Sequence, residues 1–245
     1  MIQNEWFEDW FDSPYYHLLY KNRSEEEANQ FVEKCVEVLA TKPNETLLDL
    51  ACGKGRHSVA FAAHGLDVTG VDLSRESIEY ALQSETAFLH FYVHDMRNIF
   101  RTNYYDYVCN LFTSFGYFKN QNEHVSAAKS IIAALKPQGK FLIDFVNKNH
   151  AIDNIALNKQ ETIVKGDVTF MIERKFMNNK FIKDISIADG DKQLHFQESV
   201  NCFTMMQLTD LFANFGLKLI ATYGNYQLDS YNEQHSPRMI LIFQK

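Results

Sequence analysis

The chain has 245 residues, 46% hydrophobic and 22% charged, with Lys+Arg at 24 against Asp+Glu at 31 and a formal net charge of -7. Such a composition excludes disordered and fibrous classes, and the negative balance leaves no global positive field to gather nucleic acid or anionic lipid. Sparse Gly (10) and Pro (4) beside plentiful Phe (20) and Tyr (12) point to an aromatic-rich core or an aromatic-lined pocket.

The first segment, MIQNEWFEDWFDSPYYHLLYKNR, is acidic and aromatic, without the basic stretch and apolar run of a signal peptide. No later window approaches the roughly 20 apolar residues of a membrane span. Ser24 with Glu27 is a capping box, and Ala28, Phe31, Val32, Cys35, Val36 and Leu39 recur at helical spacing, so a helix is predicted over 24–40. Next come a strand over 46–51 entering a glycine turn, a helix over 56–64 stopped by Gly65, a strand over 67–72, a helix over 74–83 capped by Ser74, and a strand over 88–93. A strand over 105–111, a helix over 123–135, the turn Lys136-Pro137-Gln138-Gly139 and a strand over 140–146 follow. Strands alternating with helices imply parallel neighbours, because parallel pairs need crossover connections.

From about residue 159 the pattern becomes β-rich: 162–176, the Asn178-Asn179 turn, 181–188, the Asp189-Gly190 turn, then 192–202, read as antiparallel hairpins. A helix over 204–215, stopped by Gly216, and strands over 217–223 and 238–243 end the chain. The fold class expected is α/β, a doubly wound, mostly parallel seven-stranded sheet in one domain over 1–245. It carries an N-terminal helical cap over 1–40 and a small antiparallel β-insertion over 159–202, after strand five. Cys35, Cys52, Cys109 and Cys202 lie far apart with no CxxC pair, as reduced thiols do, and no metal site is expected. A cytoplasmic protein, monomer or homodimer, in contact with neither membrane nor nucleic acid, fits these features.

The segment Asp49-Leu50-Ala51-Cys52-Gly53-Lys54-Gly55-Arg56 puts two glycines where a strand turns into a helix, so that backbone N–H groups and the helix N-terminus can approach a ligand. A GxG alone also fits a nicotinamide-dependent Rossmann enzyme or a plain tight turn. Here the third glycine of a pyrophosphate loop is replaced by Ser58, and Asp49 at the strand end opposes a diphosphate but suits a cation. Asp72 ends the second strand, where a carboxylate can accept two ribose hydroxyls, and Asp95 follows the third, where it can accept an amino group. A ligand with a cationic end, a ribose and an adenine satisfies all three.

LLDLACGKGRHS, VTGVDLS, HDMRN, YDYVCNLFTSFGYF and LKPQGKFLIDFVN, with the closing strand pair, resemble the successive motifs of the class I S-adenosylmethionine-dependent methyltransferases of the small, standalone type. The resemblance runs through most of the chain and departs at Ala51, where Gly is common. It implies a Rossmann-like methyltransferase fold, S-adenosyl-L-methionine as cofactor and S-adenosyl-L-homocysteine as product. By the same resemblance, backbone at Ala51, Gly53 and Gly55 lines the methionine and ribose portions with Asp49 nearby. Asp72 and Leu73 hold the ribose, Asp95 takes the adenine amino group with Met96 beside the ring, and Asn110 and Leu111 lie near the sulfonium. Trp6, Phe7, Trp10, Phe11, Tyr15, Tyr16 and Tyr20, followed by Arg23, resemble a leading segment that closes over the cofactor, with Tyr20 and Arg23 the contacts singled out.

Methyl transfer is an in-line displacement at carbon, so a protein mainly aligns the partners and excludes water. Thr113, Ser114, Phe115, Tyr117, Asp144, Asn147 and His150 project from strands four and five; Tyr117 and His150 are the candidates for a catalytic role, although His150 also reads as a solvated loop residue. Tyr231, His235 and Arg238 flank a loop that could reach the same pocket. An Asn-Pro-Pro-Tyr motif and a Pro-Cys pair are absent, and the basic residues of the insertion are matched by acidic ones. The acceptor expected is therefore an O or N atom of a small molecule, with RNA or protein acceptors, a nicotinamide oxidoreductase and a non-catalytic cofactor-binding protein as alternatives. The insertion is expected to act as an acceptor lid, so that replacing 159–202 by a linker leaves S-adenosylhomocysteine affinity within about tenfold.

Overall fold

The computed structural model describes residues 6–20 and 25–245. Two short helices, α1 (Trp6–Phe11) and α2 (Pro14–Leu19), precede α3 (Glu25–Leu39); the predicted cap Ser24 and the predicted contact Arg23 lie outside the described residues. Then follow β1 (Thr46–Leu50), α4 (Arg56–Ala63), β2 (Asp67–Asp72), α5 (Arg75–Ala81), β3 (Leu89–Val93), β4 (Tyr105–Asn110), α6 (Gln121–Ala134) and β5 (Leu135–Val146). Next are α7 (Lys148–Leu157), β6 (Gln160–Lys165), β7 (Val168–Met177), β8 (Lys180–Asp189), β9 (Lys192–Asn201), α8 (Met205–Ala213), β10 (Lys218–Tyr223) and β11 (Arg238–Gln244).

The seven-stranded sheet has the order β10-β11-β5-β4-β1-β2-β3, parallel except for β11, which pairs antiparallel with both β5 and β10. Its central strands are apolar on both faces because helices cover both. Phe31, Val32, Phe61 and Ile78 pack on one side with Leu47, Val68 and Ile240, and Ile131, Leu208 and Phe212 on the other with Val108, Phe141 and Phe243. The chain turns one way from β1 to β2 and the other way from β4 to β5. The crevice at the carboxyl ends of β1 and β4 is therefore the switch point where α/β sheets present ligands.

The β-insertion is a four-stranded antiparallel sheet, β6-β7-β8-β9. The run expected as one strand over 162–176 is two, folded back at Gly166-Asp167, where Gly166 takes φ +60. Helix α7 was not expected from the sequence. Ala151, Ile152 and Ile155 do recur at helical spacing there, but the stripe is short and only half-buried, and no residue of the helix is fully buried. The turn expected at 136–139 survives as an irregularity within β5: Gln138 takes φ 68, and the register against β4 jumps from Leu135 to Lys140. All four cysteines are free and buried. Among the described residues, no helix is long and apolar enough to cross a membrane and no His/Cys/Asp/Glu group is arranged to hold a metal.

Candidate functional site

Between β1 and α4 the backbone turns through left-handed conformations at Ala51 (φ 60), Gly53 (φ 56) and Gly55 (φ 82). The two glycines serve different ends. A Cβ on Gly53 would meet nothing within 4 Å, so its backbone faces open space, whereas one on Gly55 would lie 2.7 Å from the Phe91 ring. Gly55 thus lets the N-terminus of α4 close on β3.

The open space is a cavity of about 880 Å³ lined by Asp49, Ala51, Gly53, Asp72, Leu73, Asp95, Met96 and Leu111. Two expected members are not in its wall. Gly55 is turned onto Phe91, and Asn110 is fully buried with its Nδ2 donating to the Leu50 carbonyl at 2.9 Å. Asn110 Oδ1 has no hydrogen-bond partner among the described residues. Lys54, Arg56, His57, Ser77 and Tyr80 also line the cavity, with the Lys54 ammonium 4.9 Å from the Tyr80 ring centre. Lys54 stands within the glycine loop that the sequence marks out, whereas Tyr80 carries no motif signal.

The three carboxylates are held differently. Asp49 is 1% exposed, and burial raises its pKa to about 6, against the opposing effect of the Ser58 hydroxyl, which donates to Oδ2 at 2.6 Å. Asp72 accepts the Gly53 N–H at 2.8 Å on Oδ2 and the Ser74 N–H at 2.9 Å on Oδ1. Burial pushes its pKa up, and those two amides oppose the shift. For Asp95, burial is outweighed by Arg97, whose side chain bonds both carboxylate oxygens and holds the group below its ordinary value. Sequence reading did not anticipate Arg97 in this place, although its position two residues on is the spacing at which an Asp side chain meets a backbone N–H.

Helices α1 and α2 roof the cavity with Phe7, Phe11, Tyr16, His17 and Tyr20. The roof is latched to the start of α5, where Ser74 Oγ bonds Asp12 and His17 Nε2 lies 3.7 Å from Glu76. Trp10, one of the leading aromatics and itself on α1, does not line the cavity but is fully buried against the β-insertion.

A second cavity of about 590 Å³ adjoins the first, and Phe112 and Tyr117 line both. Its other walls include Thr113 in the loop after β4, the amides Asn154, Asn158 and Gln160, the apolar Val146, Ile155, Phe181 and Val200, and the charged Glu161, Arg174, Lys183 and Glu198 of the insertion. The dividing loop is unusual in carrying two successive non-glycine residues with positive φ, Phe112 (58) and Thr113 (70). Tyr117 is thus brought to the junction. His150 lies in the first turn of α7, on a helix rather than a loop, and lines neither cavity. Phe115 is core, Asn147 is buried holding the Glu233 and Ser236 carbonyls, and Asp144 pairs with Arg238 beneath the loop. Ser114 faces the first cavity. Tyr231 bonds Asn147 and, with His235, lies outside the second cavity.

Residues 47–139 match the model of a methyltransferase domain. The chain is 39% identical over 210 residues, 81% of its own length and 83% of the other, to YqeM of Bacillus subtilis (strain 168), whose name ascribes methyltransferase activity to it. It is 30% identical over 131 residues, 53% of its length and 54% of the other, to the dTDP-3-amino-3,4,6-trideoxy-alpha-D-glucopyranose N,N-dimethyltransferase of Streptomyces venezuelae. Among solved structures, an S-adenosylmethionine-dependent methyltransferase from Clostridium acetobutylicum ATCC 824 superposes with a TM-score of 0.76 at 17% identity, covering 94% of this chain and 95% of that one.

Proposed function

The chain belongs to the S-adenosylmethionine-dependent methyltransferases, and from that premise we propose that it methylates a small polar molecule seated in the second cavity, at nitrogen in preference to oxygen. The observation that carries this reading is the shared wall: Phe112 and Tyr117 belong to both cavities, so a donor in the first and an acceptor in the second meet there. A volume of about 590 Å³ suits one small molecule, and the amides of Asn154, Asn158 and Gln160 offer both donors and acceptors to hydroxyls and amines. An amine needs no strong base beside it, whereas a hydroxyl does. Among the described residues no histidine lines the second cavity. Its carboxylates are engaged, Glu161 by Arg174 and Glu198 by Trp10 and Tyr20. The amino-sugar acceptor in the name of the Streptomyces venezuelae relative supports the preference for nitrogen.

Bound S-adenosylmethionine supplies an electrophilic methyl group on a cationic sulfur. The residues present fit it: bare backbone at Gly53 opens on the cavity, the buried Asp49 offers a carboxylate to a cationic end, and Asp72 retains lone pairs for two hydroxyls. We assign Asp95 a single contact to the adenine amino group, since Arg97 occupies both its oxygens and fixes its orientation. Met96 and Leu73, which line the cavity, would hold the adenine and ribose rings, and the Ala51 backbone and Leu111, also in its wall, the methionine end. Phe11, Tyr16 and Tyr117 exclude water, with Phe11 and Tyr117 5.3 Å apart between ring centres across the junction. Alignment and desolvation are then the protein's main contribution. Tyr117 orients the acceptor.

The test is methyl transfer from isotope-labelled S-adenosylmethionine to panels of amino sugars, amino acids and phenols, with bulk RNA and protein as contrasts, read by mass spectrometry. Labelled amine products support the reading. Label found only in RNA or protein refutes it.

A further inference from the structure

Helices α1 and α2 roof the first cavity, yet their apolar support comes from the insertion. Trp10 and Leu19 pack against Val168, Phe170, Ile172, Ile185 and Ile187, and the Trp10 ring lies 4.7 Å from that of Phe196. Glu198 on β9 is the polar point of this contact. Its Oε1 accepts the Trp10 indole N–H and the Tyr20 hydroxyl, each at 2.8 Å. Lys183 on β8 donates to the Tyr20 hydroxyl, lies 4.6 Å from that ring's centre and sits 4.0 Å from Glu198 Oε2. Glu198 and Lys183 line the second cavity, while Tyr20 lines the first.

We propose that Glu198 is a positioning residue for S-adenosylmethionine, holding the roof over the first cavity from the side of the second. The proposal rests on the reading that the first cavity holds the cofactor. A carboxylate shared by an indole and a phenol makes charge-assisted bonds in a mostly water-excluded place, stronger than the neutral bonds an amide would make there. Without the charge, α1 and α2 keep their apolar seat but lose the bonds that set their distance from the ligand, so bound ligand leaves faster. Coupling between sites is reciprocal. An acceptor that draws Lys183 or Glu198 toward itself changes cofactor affinity by the factor by which the cofactor changes its own.

The experiment uses the full chain and S-adenosylhomocysteine as probe, with calorimetry for affinity and stopped flow for dissociation. Glu198→Gln should lower the ligand-free melting temperature by no more than about a few degrees and bind about five- to tenfold more weakly, through a faster dissociation rate. In a Trp10→Phe, Tyr20→Phe background, which lacks both donors, the same substitution should have no further effect on affinity. Tyr20→Phe alone, which keeps the ring, should reproduce part of the loss and serves if Glu198→Gln does not fold. Asp72→Ala is the control for the site itself. If it weakens binding while Glu198→Gln and Tyr20→Phe do not, the positioning role is overturned and the cofactor reading stands. If Asp72→Ala also leaves binding unchanged, the site reading falls and the inference with it.

Discussion

Arg238 on β11 places its Nε 2.7 Å from Oδ1 of Asp144 on β5, an ion pair whose carboxylate is wholly shielded from solvent. The pair holds the loop that divides the two cavities. Asp144 Oδ2 accepts the Phe112 N–H at 3.0 Å, its carbonyl accepts the Thr113 N–H at 3.0 Å, and Arg238 Nη2 donates to Thr113 Oγ1 at 3.0 Å. These bonds stabilise two consecutive left-handed residues that would otherwise cost on the order of 1–3 kcal/mol each.

Arg238→Met therefore leaves a buried carboxylate unpaired and should destabilise the fold by about 3–5 kcal/mol in denaturant titration. Adding Asp144→Leu should recover much of that stability, because no buried charge remains, but not methyl-transfer activity, because the Phe112–Thr113 loop has lost its side-chain anchors and keeps only the bond from the Thr113 N–H to the backbone carbonyl of residue 144. Recovery of both stability and activity would show the loop to be self-supporting.

Asp72→Ala should weaken S-adenosylhomocysteine binding by about 1.5–3 kcal/mol, as expected for lost hydrogen bonds to a charged group. Calorimetry on a variant shown to be folded decides it. An unchanged dissociation constant would reduce Asp72 to a cap for the Gly53 and Ser74 amides.

Asp49 makes a pH prediction with a definite sign. Its pKa rises from 3.8 unfolded to about 6 folded, so the folded state prefers the protonated acid. The destabilisation it causes is complete above pH 6 and disappears as pH falls from 6 toward 3.8, a span worth on the order of 3 kcal/mol. Asp49→Asn, which keeps an acceptor for Ser58, should accordingly stabilise the ligand-free protein at pH 8. A cationic ligand favours the ionised acid, so S-adenosylmethionine affinity should fall by up to about tenfold per pH unit below pH 6. The Asn variant should lack that slope. A slope persisting in the variant would assign it to another group.

Replacing residues 159–202 by a flexible linker removes the surface on which Trp10 and Leu19 are buried. The sequence alone predicts S-adenosylhomocysteine affinity within about tenfold of the parent. The placement of the roof on the insertion predicts a larger loss, measured by calorimetry on the folded deletion variant. Affinity within tenfold would restore the insertion to the role of acceptor lid alone.

Much of this architecture was legible in the sequence because local rules agree with the fold. The strand limits 67–72, the Ser74 cap, the Gly65 stop and the glycine turn after Leu50 follow from side-chain period and backbone freedom, which neighbours along the chain determine. Asp49, Asp72 and Asp95 were readable for the same reason: each sits at or just past a strand's carboxyl end, and the parallel topology brings those ends together. What the tertiary structure alone decided are contacts across long sequence distances. Trp10 and Tyr20 meet Glu198 at separations of 188 and 178 residues, and Arg238 meets Thr113 at 125. No periodicity encodes such pairs, because burial and hydrogen bonding depend on which surfaces the topology juxtaposes. Gly55 shows the limit within a motif. Its φ was foreseeable from the turn, but that its missing Cβ makes room for Phe91 rather than for a ligand depends on β3 lying beneath it.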